Sequence, residues 1–390
     1  MSFPKAAITG AGMSQIGRNT GRPAMDHLAE AVQRALASAG LTRDDIDGIC
    51  TYPGKADNSP GMSPLGSGEL RNALGIRTRW HSAIPDGPAQ MAPIMVAAMA
   101  VMTGQARHVL CFRALTESSS QTAGQRASVP GAGRPQIGGW LSWLVPAKAM
   151  SASNWAGWMA TRYFHEFGMT REHLGMVATG QRAFALQNPA AVMHKPLSMD
   201  DYFSARMISS PLGLFDCDIP IDGACVVIVS AGDAARDCAR APLTIEALGS
   251  ALQSQETWDQ RADLTTMGAH DAGADLWQRT DLKPKDIDVL ALYDGFSIFV
   301  PLWLEALGFC GHGEAKDFIA EGNIGPGGRY PVNTGGGQLS GGRLHGFGLL
   351  YEACQQLWGD TGARQVADAK TAVCGMGGGF IAGAMLLNRD

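Results

Sequence analysis

The sequence predicts an α/β protein built from two similar halves, with a long insertion in the first. Three observations predict it. A turn-and-strand pattern near the start recurs late in the chain, short apolar strands alternate with helices, and a long stretch between the halves breaks that alternation. At 390 residues the chain is too long for one simple core. With 45% hydrophobic and 17% charged residues, large cores are affordable. The net charge of −5 excludes a general nucleic-acid or membrane-surface binder, which carries a basic excess.

Residues 6–9 read as a short strand that turns at Gly10-Ala11-Gly12. A helix follows over 24–39, with Leu28, Ala31, Val32, Ala35 and Leu36 on one face and Gly40 as its stop. Residues 41–52 form an acidic turn that feeds a strand. Residues 88–102 carry no charge but fall short of the roughly 20 residues of a bilayer crossing. Pro88 suits a first helical turn, so this is a helix apolar all round and buried in a core. Asp86 is placed to cap it.

The insertion runs from about Ala114 to Leu214. It opens on a Ser/Gly/Pro-rich loop, Ser118 to Gly139, then carries Trp140, Trp143, Trp155 and Trp158, with helices expected over 155–167 and 171–188. Such an excursion is more often functional than idle. Its tryptophans suit either a core of its own or a wall for a bulky ligand.

After it the first pattern returns. Residues 282–293 align without gaps with 41–52, and Leu, Asp-Ile-Asp and the closing Tyr coincide. Gly362-Ala363-Arg364 and Thr371 to Cys374 answer Gly104 to Cys111, and 243–247 starts a strand as 6–9 does. A duplication into halves 1–240 and 241–390 follows, each half with a mostly parallel sheet and helices on its faces.

Several cofactor classes drop out. The eight cysteines form no C-x-x-C pair and no ligand cluster has sensible spacing, so no metal is expected. Gln15 stands where a dinucleotide fingerprint needs its third glycine, and the glycine-rich stretches near 322–328 and 335–337 lack a Walker lysine. The chain runs from Met1 straight into a strand without a secretory signal, so free thiols in a cytoplasmic protein are expected.

An ordered set of segments now points to one family. Gly168 to Leu174 leads to Asn188-Pro189-Ala190, then Lys195-Pro196-Leu197 and Asp200-Asp201-Tyr202. Ile208 to Leu214, Asp216-Cys217 and Asp222-Gly223-Ala224 follow, and later Asn333 to Gly346 and Cys374 to Gly379. This succession resembles the thiolase superfamily, and within it the sterol-carrier-protein-type thiolases and their bacterial lipid-transfer-protein-like relatives. The resemblance covers nearly the whole chain. It implies a duplicated five-layer αβαβα fold with a loop domain inserted in the first half, usually dimeric. It also implies an acyl-CoA substrate without a bound cofactor, and a small zinc-ribbon and OB-fold partner.

The family's chemistry is altered here. A thiolase holds a nucleophilic cysteine at the head of its buried helix, and Gly87 falls at that place. Cys374 matches the acid/base thiol, and the glycine-rich loops with Gly336 and Gly375 match oxyanion-binding turns. Arg343 and Leu344 replace the His-Pro pair, and His345 follows. Tyr293-Asp294 resembles the motif of thiolase-like aldolases, whose tyrosine moves the proton of the hydroxyl being cleaved. The second tyrosine of those aldolases is absent, with Arg343 near its place. The resemblance therefore implies retro-aldol cleavage of a β-hydroxyacyl-CoA, with Tyr293 or His345 as base. Acyl transfer through Cys374, or a non-catalytic subunit of a complex, are the alternatives.

Overall fold

The computed structural model describes residues 5–56, 59–121, 138–139 and 141–389. Most of the loop expected over 118–139, and Trp140, lie outside the described residues. The first half contains β1 (Ala6–Met13), α1 (Ala24–Ala39), β2 (Gly48–Thr51), α2 (Ser67–Leu74), β3 (Trp80–Ala83), α3 (Ala92–Met102) and β4 (His108–Thr116). The insertion contributes α4 (Ala152–Phe167), α5 (Arg171–Ala185) and the small hairpin β5 (Met207–Ser209) and β6 (Leu212–Gly213). Then come β7 (Asp222–Ala231), β8 (Leu243–Gly249), α6 (Gly268–Trp277), β9 (Val289–Leu292), α7 (Phe299–Ala306), α8 (Phe347–Trp358), β10 (Thr371–Gly378) and β11 (Ile381–Arg389).

Among the described residues, nine strands form one mixed sheet in the order β3-β2-β4-β7-β1-β8-β11-β10-β9. A short antiparallel contact, Ala7 with Thr244 and Ile8 with Leu243, joins the halves. Among the described residues, parallel pairing between strands is confined to β2 with β3, β2 with β4, and β9 with β10. This corrects the mostly parallel sheet expected from the alternation. β7 and β11 each run back against their neighbours, and β11 follows β10 through a two-residue connection that only an antiparallel pair can close.

β7 shows how the layers arise. Cys225, Val227, Val229 and Ala231 face a core shared with α3 and α8, while Ala224, Val226 and Ile228 face a second core with α1. β9 and β11 repeat this: Val289, Ala291, Met385 and Leu387 point to the shared core, and Leu290, Leu292, Ala384 and Leu386 to a third core with α6 and α7. The result is α1, a half-sheet, α3 with α8, the other half-sheet, then α6 with α7: five layers, αβαβα. α3 is apolar all round because both of its neighbours are sheets.

The repeat also operates at single residues. Asp47 accepts the backbone N–H groups of Arg107 (2.8 Å) and His108 (3.0 Å). Asp288, its partner in the gapless alignment, accepts those of Lys370 (2.8 Å) and Thr371 (3.0 Å). Gly12 and Gly249 likewise share a task. A Cβ there would lie 2.3 Å from the Ala31 carbonyl oxygen and 2.1 Å from that of Ala272, so each strand meets its helix only without a side chain. β1 accordingly runs on through Gly10-Ala11-Gly12, where a turn was expected. We propose the boundary between the halves at residues 240 and 241, just before β8.

The insertion packs on the second half. Ala156, Met159, Tyr163, Leu174 and Val177 share the core of α6 and α7. Trp155 is buried, donates to the Ala149 carbonyl (2.8 Å) and packs against Trp258 at 5.2 Å, whereas Trp143 is 67% exposed. No described helix is long and apolar enough to cross a membrane.

Candidate active site

The glycine-rich segment 333–346 takes the place beside β9 that β3 takes beside β2, through a single bridge of Leu290 with Val332. Asn333 fixes it there, accepting from the Leu292 N–H and donating to the Leu292 carbonyl, both at 2.8 Å. The insertion holds its other side. Arg182 donates to Ser340 Oγ (2.9 Å) and Asn188 to the Gly335 carbonyl (2.9 Å). Gly336 and Gly337 have φ of 97° and 60°, and side chains there would press on Ala185 and on the Asp294 carboxylate. The Gly336 N–H donates to the Asn333 carbonyl. This corrects the expectation of a free oxyanion-binding amide at Gly336.

β9 ends at Tyr293-Asp294. The Tyr293 N–H donates to the Gly375 carbonyl at 2.8 Å, and the ring lies over Gly295, where a Cβ would stand 2.7 Å from it. Asp294 is fully buried and accepts the N–H groups of Gln338 (2.9 Å) and Leu339 (3.3 Å). Burial pushes its pKa up to about 7, against the pull of those amides. Asp294 therefore holds the glycine-rich segment against β9.

Beside Tyr293 lies a buried ionic chain drawn from four parts of the sequence. Arg343 donates to Glu117 (2.7 Å) and to Asp218 (3.0 Å). Arg113 donates to the Tyr52 carbonyl (2.7 Å) and to His345 Nδ1 (2.6 Å). A guanidinium has no acceptor, so Nδ1 accepts and the ring proton sits on Nε2, 3.5 Å from Glu117 Oε2. Burial, with Arg113 and Arg343 adding to it, pushes His345 down to about 4 despite Glu117. Burial would raise Glu117, yet Arg343, His345 and Arg113 hold it well below the carboxylate range. Asp218 is pushed up to about 6, burial outweighing Arg343. The expectation of His345 as a base is corrected: both its nitrogens are engaged.

Tyr293 is only partly buried. Burial first and then the Asp218 charge raise its phenol above the ordinary value, and Arg343 and the Gln338 side chain pull it back. Arg113, Glu117, Asp218 and Gln338 escaped the sequence reading. Arg113 alone left a signal, as the charge inside the otherwise apolar run 109–115.

The thiol and the helix head lie differently from expectation. Cys374 is in the middle of β10, not in a loop, faces the shared core and is fully buried. Burial pushes its thiol up to about 12, with no cation to oppose it. Gly375 is needed for packing, since a Cβ would meet the Trp303 ring at 2.6 Å. Gly87 is exposed. The residue at the buried head of the helix is Ala89, at φ 52° and packed against Gly377. Asp86 is exposed, and the helical turn that starts after Pro88 has no side-chain cap, which corrects the capping expectation.

Two other features stand apart. His270, Glu305 and His312 bring ligand-type atoms within 4.8 Å of one another, a grouping that sequence spacing did not suggest. However, His270 Nδ1 accepts from the Met267 N–H, which leaves the ring proton on Nε2, and Glu305 already accepts from Tyr163, Gly313 and Ala315. His312 Nδ1 and Glu305 Oε2 share a hydrogen bond at 3.0 Å, whereas His270 Nε2 is buried without a partner among the described residues. A cavity of about 600 Å³ lies behind the glycine-rich segment, between Met13–Ile16, Asn188–Ala191 and α8. It touches Gln338, but neither Tyr293, Arg343 nor Cys374 lines it; of its charged residues Glu352 pairs with Arg364, Arg34 with Glu30 and Asp360 with Arg240.

The layers and the sheet order define a thiolase fold. Human mitochondrial 3-ketoacyl-CoA thiolase has the same fold, with a TM-score of 0.70 over 99% of both chains at 14% identity. Residues 250–387 match the family model described as thiolase C-terminal domain-like. Over 99% of this chain and 98% of the relative, the sequence is 36% identical to the steroid side-chain-cleaving aldolase of Thermomonospora curvata. It is 34% identical to the 17-hydroxy-3-oxo-4-pregnene-20-carboxyl-CoA lyase of Mycobacterium tuberculosis over 98% and 99%. A solved structure described as the Ltp2-ChsH2(DUF35) aldolase superposes with a TM-score of 0.87 at 33% identity, covering 100% of this chain and 99% of that one. The chain belongs to the thiolase-like aldolase branch of the thiolase superfamily.

Proposed function

We propose that the protein cleaves a β-hydroxyacyl-CoA by a retro-aldol reaction, with a bulky, steroid-like group on the hydroxyl-bearing carbon. The observation that carries this reading is the placement of Tyr293. It is a partly open proton-transfer group at a site where Gly87 and Ala89 offer no nucleophile and Cys374 is an unactivated core thiol.

Tyr293 takes the hydroxyl proton of the substrate while passing its own to Asp218, whose pKa of about 6 suits it as the acceptor. The carbon–carbon bond breaks, the former alcohol leaves as a ketone, and its electron pair becomes the enolate of the CoA thioester. The proton then returns through Tyr293 to the enolate carbon and gives the shorter acyl-CoA. Arg343 and His345 shape the site through Asp218, Glu117 and Arg113 without meeting the substrate. Relatives are described as lyases and aldolases, and the solved relative as a complex with a second component, ChsH2(DUF35). We propose that this chain also works as a homodimer with a small zinc-ribbon and OB-fold partner. Acyl transfer through Cys374 is disfavoured by the thiol's burial, and a purely structural role by the likeness to an aldolase and a lyase over nearly the whole chain.

The test is a coupled assay of the purified protein with its partner. Release of a ketone and a shorter acyl-CoA from a β-hydroxyacyl-CoA is expected, lowered about 100-fold or more in Tyr293→Phe and kept in Cys374→Ala. CoA-dependent cleavage of a β-ketoacyl-CoA, lost in Cys374→Ala, would overturn the reading.

A further inference from the structure

Gln338 is the second residue of the π-helical turn Gly337–Gly341 and is 2% exposed. Its backbone N–H is taken by Asp294 and its carbonyl accepts from the Ile219 N–H. The side chain has one fixed end, since Oε1 accepts the Gly346 N–H at 2.9 Å. That bond assigns the amide: the oxygen faces Gly346, so the NH2 group faces the other way. Nε2 is buried and has no hydrogen-bond partner among the described residues. A buried amide N–H without a partner costs about 1–3 kcal/mol, so one kept beside a reactive group calls for an explanation. Gly346, to which this side chain is tied, packs beside the Tyr293 ring, 3.7 Å from where a Cβ would stand.

We propose that Gln338 is a positioning residue for the proton relay: its Nε2–H group donates to the Tyr293 oxygen as that oxygen gains phenolate character. The inference rests on the retro-aldol reading for its catalytic meaning, but not for its geometry. The Tyr293 oxygen then accepts from Gln338 and from the substrate hydroxyl and donates to Asp218, so no proton is created or lost. The charged and titratable groups around Tyr293 are Asp218 and Asp294, which oppose a phenolate, and Arg343 and Arg113, which favour it. Arg343 is already shared between Glu117 and Asp218, and Arg113 between Tyr52 and His345. Among these groups the Gln338 amide is the donor with capacity to spare. Its pull on the phenol is in the required direction.

The experiment places a fluorinated tyrosine at position 293 of the full chain, so that the phenol ionises within the range where the protein stays folded. Fluorine NMR then reads its midpoint. Gln338→Leu is expected to raise that midpoint by about one to two units, with an unchanged melting temperature as the control. In the same chain labelled with 15N-glutamine, the Gln338 side-chain amide, assigned by its disappearance in Gln338→Asn, is expected to shift with the phenol's midpoint. That measurement stands even if Gln338→Leu fails to fold. A midpoint unmoved in a folded Gln338→Leu, or an amide that ignores the titration, overturns the proposal. Absence of cleavage of a β-hydroxyacyl-CoA by the unsubstituted protein would instead overturn the retro-aldol reading and leave the midpoint shift intact.

Discussion

Arg343 is the residue on which the site's electrostatics turn. It sits between two buried carboxylates, Glu117 and Asp218, and with Arg113 it balances them charge for charge. Removing one member of such a buried set leaves the others unpaired, at a cost of about 3–5 kcal/mol. Arg343→Met should therefore lower the unfolding free energy read from urea titration by that much, far more than an exposed arginine replaced the same way. His345 sets a pH limit. Its pKa falls from 6.5 to about 4 on folding, so below pH 6.5 the unfolded chain takes up a proton that the native chain refuses. Stability is thus fully present above about pH 6.5 and falls as pH drops toward 4, by about 3 kcal/mol from this residue. Urea titrations at pH 7.5 and 4.5 should show that loss reduced in His345→Gln, which does not titrate yet can accept from Arg113. Cys374 offers the contrast: Cys374→Ala removes one buried sulfur, and activity should survive with a modest drop in melting temperature.

At the scale of elements, the strand–helix contacts of the two halves are governed by the same device. Gly12 lets β1 touch α1, and Gly249 lets β8 touch α6. The obstructing atoms are backbone, which cannot rotate away, so Gly12→Ala and Gly249→Ala should each destabilise by about 1–3 kcal/mol or more. Differential scanning calorimetry would read both, and a neutral Gly249→Ala would contradict the close approach. Gly10 and Gly12 look in the sequence like part of a nucleotide-binding turn. The structure uses them for packing, because a glycine in a strand also marks where another backbone comes near. The insertion acts at this scale too. Its helix α5 reaches the glycine-rich segment through Arg182 and Ala185, so it bears on the site from behind.

For the whole molecule, the decisive feature is the shared central layer. α3 from the first half and α8 from the second bury apolar residues against both half-sheets in one core. Neither half can cover that layer alone. Residues 1–240 and 241–390, expressed separately, should yield aggregated or molten chains that bind a hydrophobic dye, and co-expression should recover the native near-ultraviolet dichroism. Two soluble, cooperatively unfolding halves would refute this.

The sequence by itself determined the helix over 24–39 and the apolar, buried helix that ends at Met102, and it pointed to the repeat, to the missing nucleophile and to Tyr293, whose role we propose. Each is local: a repeat, a period, or one residue read against a motif. Strand direction, the layers and the ionic chain were decided only by tertiary structure. Glu117, Asp218 and Arg343 are far apart in the chain and carry no shared spacing, so nothing short of folding could bring them together. The demotion of His345 and Cys374 has the same cause. A base or a thiolate is made by its surroundings, and burial against Arg113 or inside β10 is invisible in a one-dimensional string.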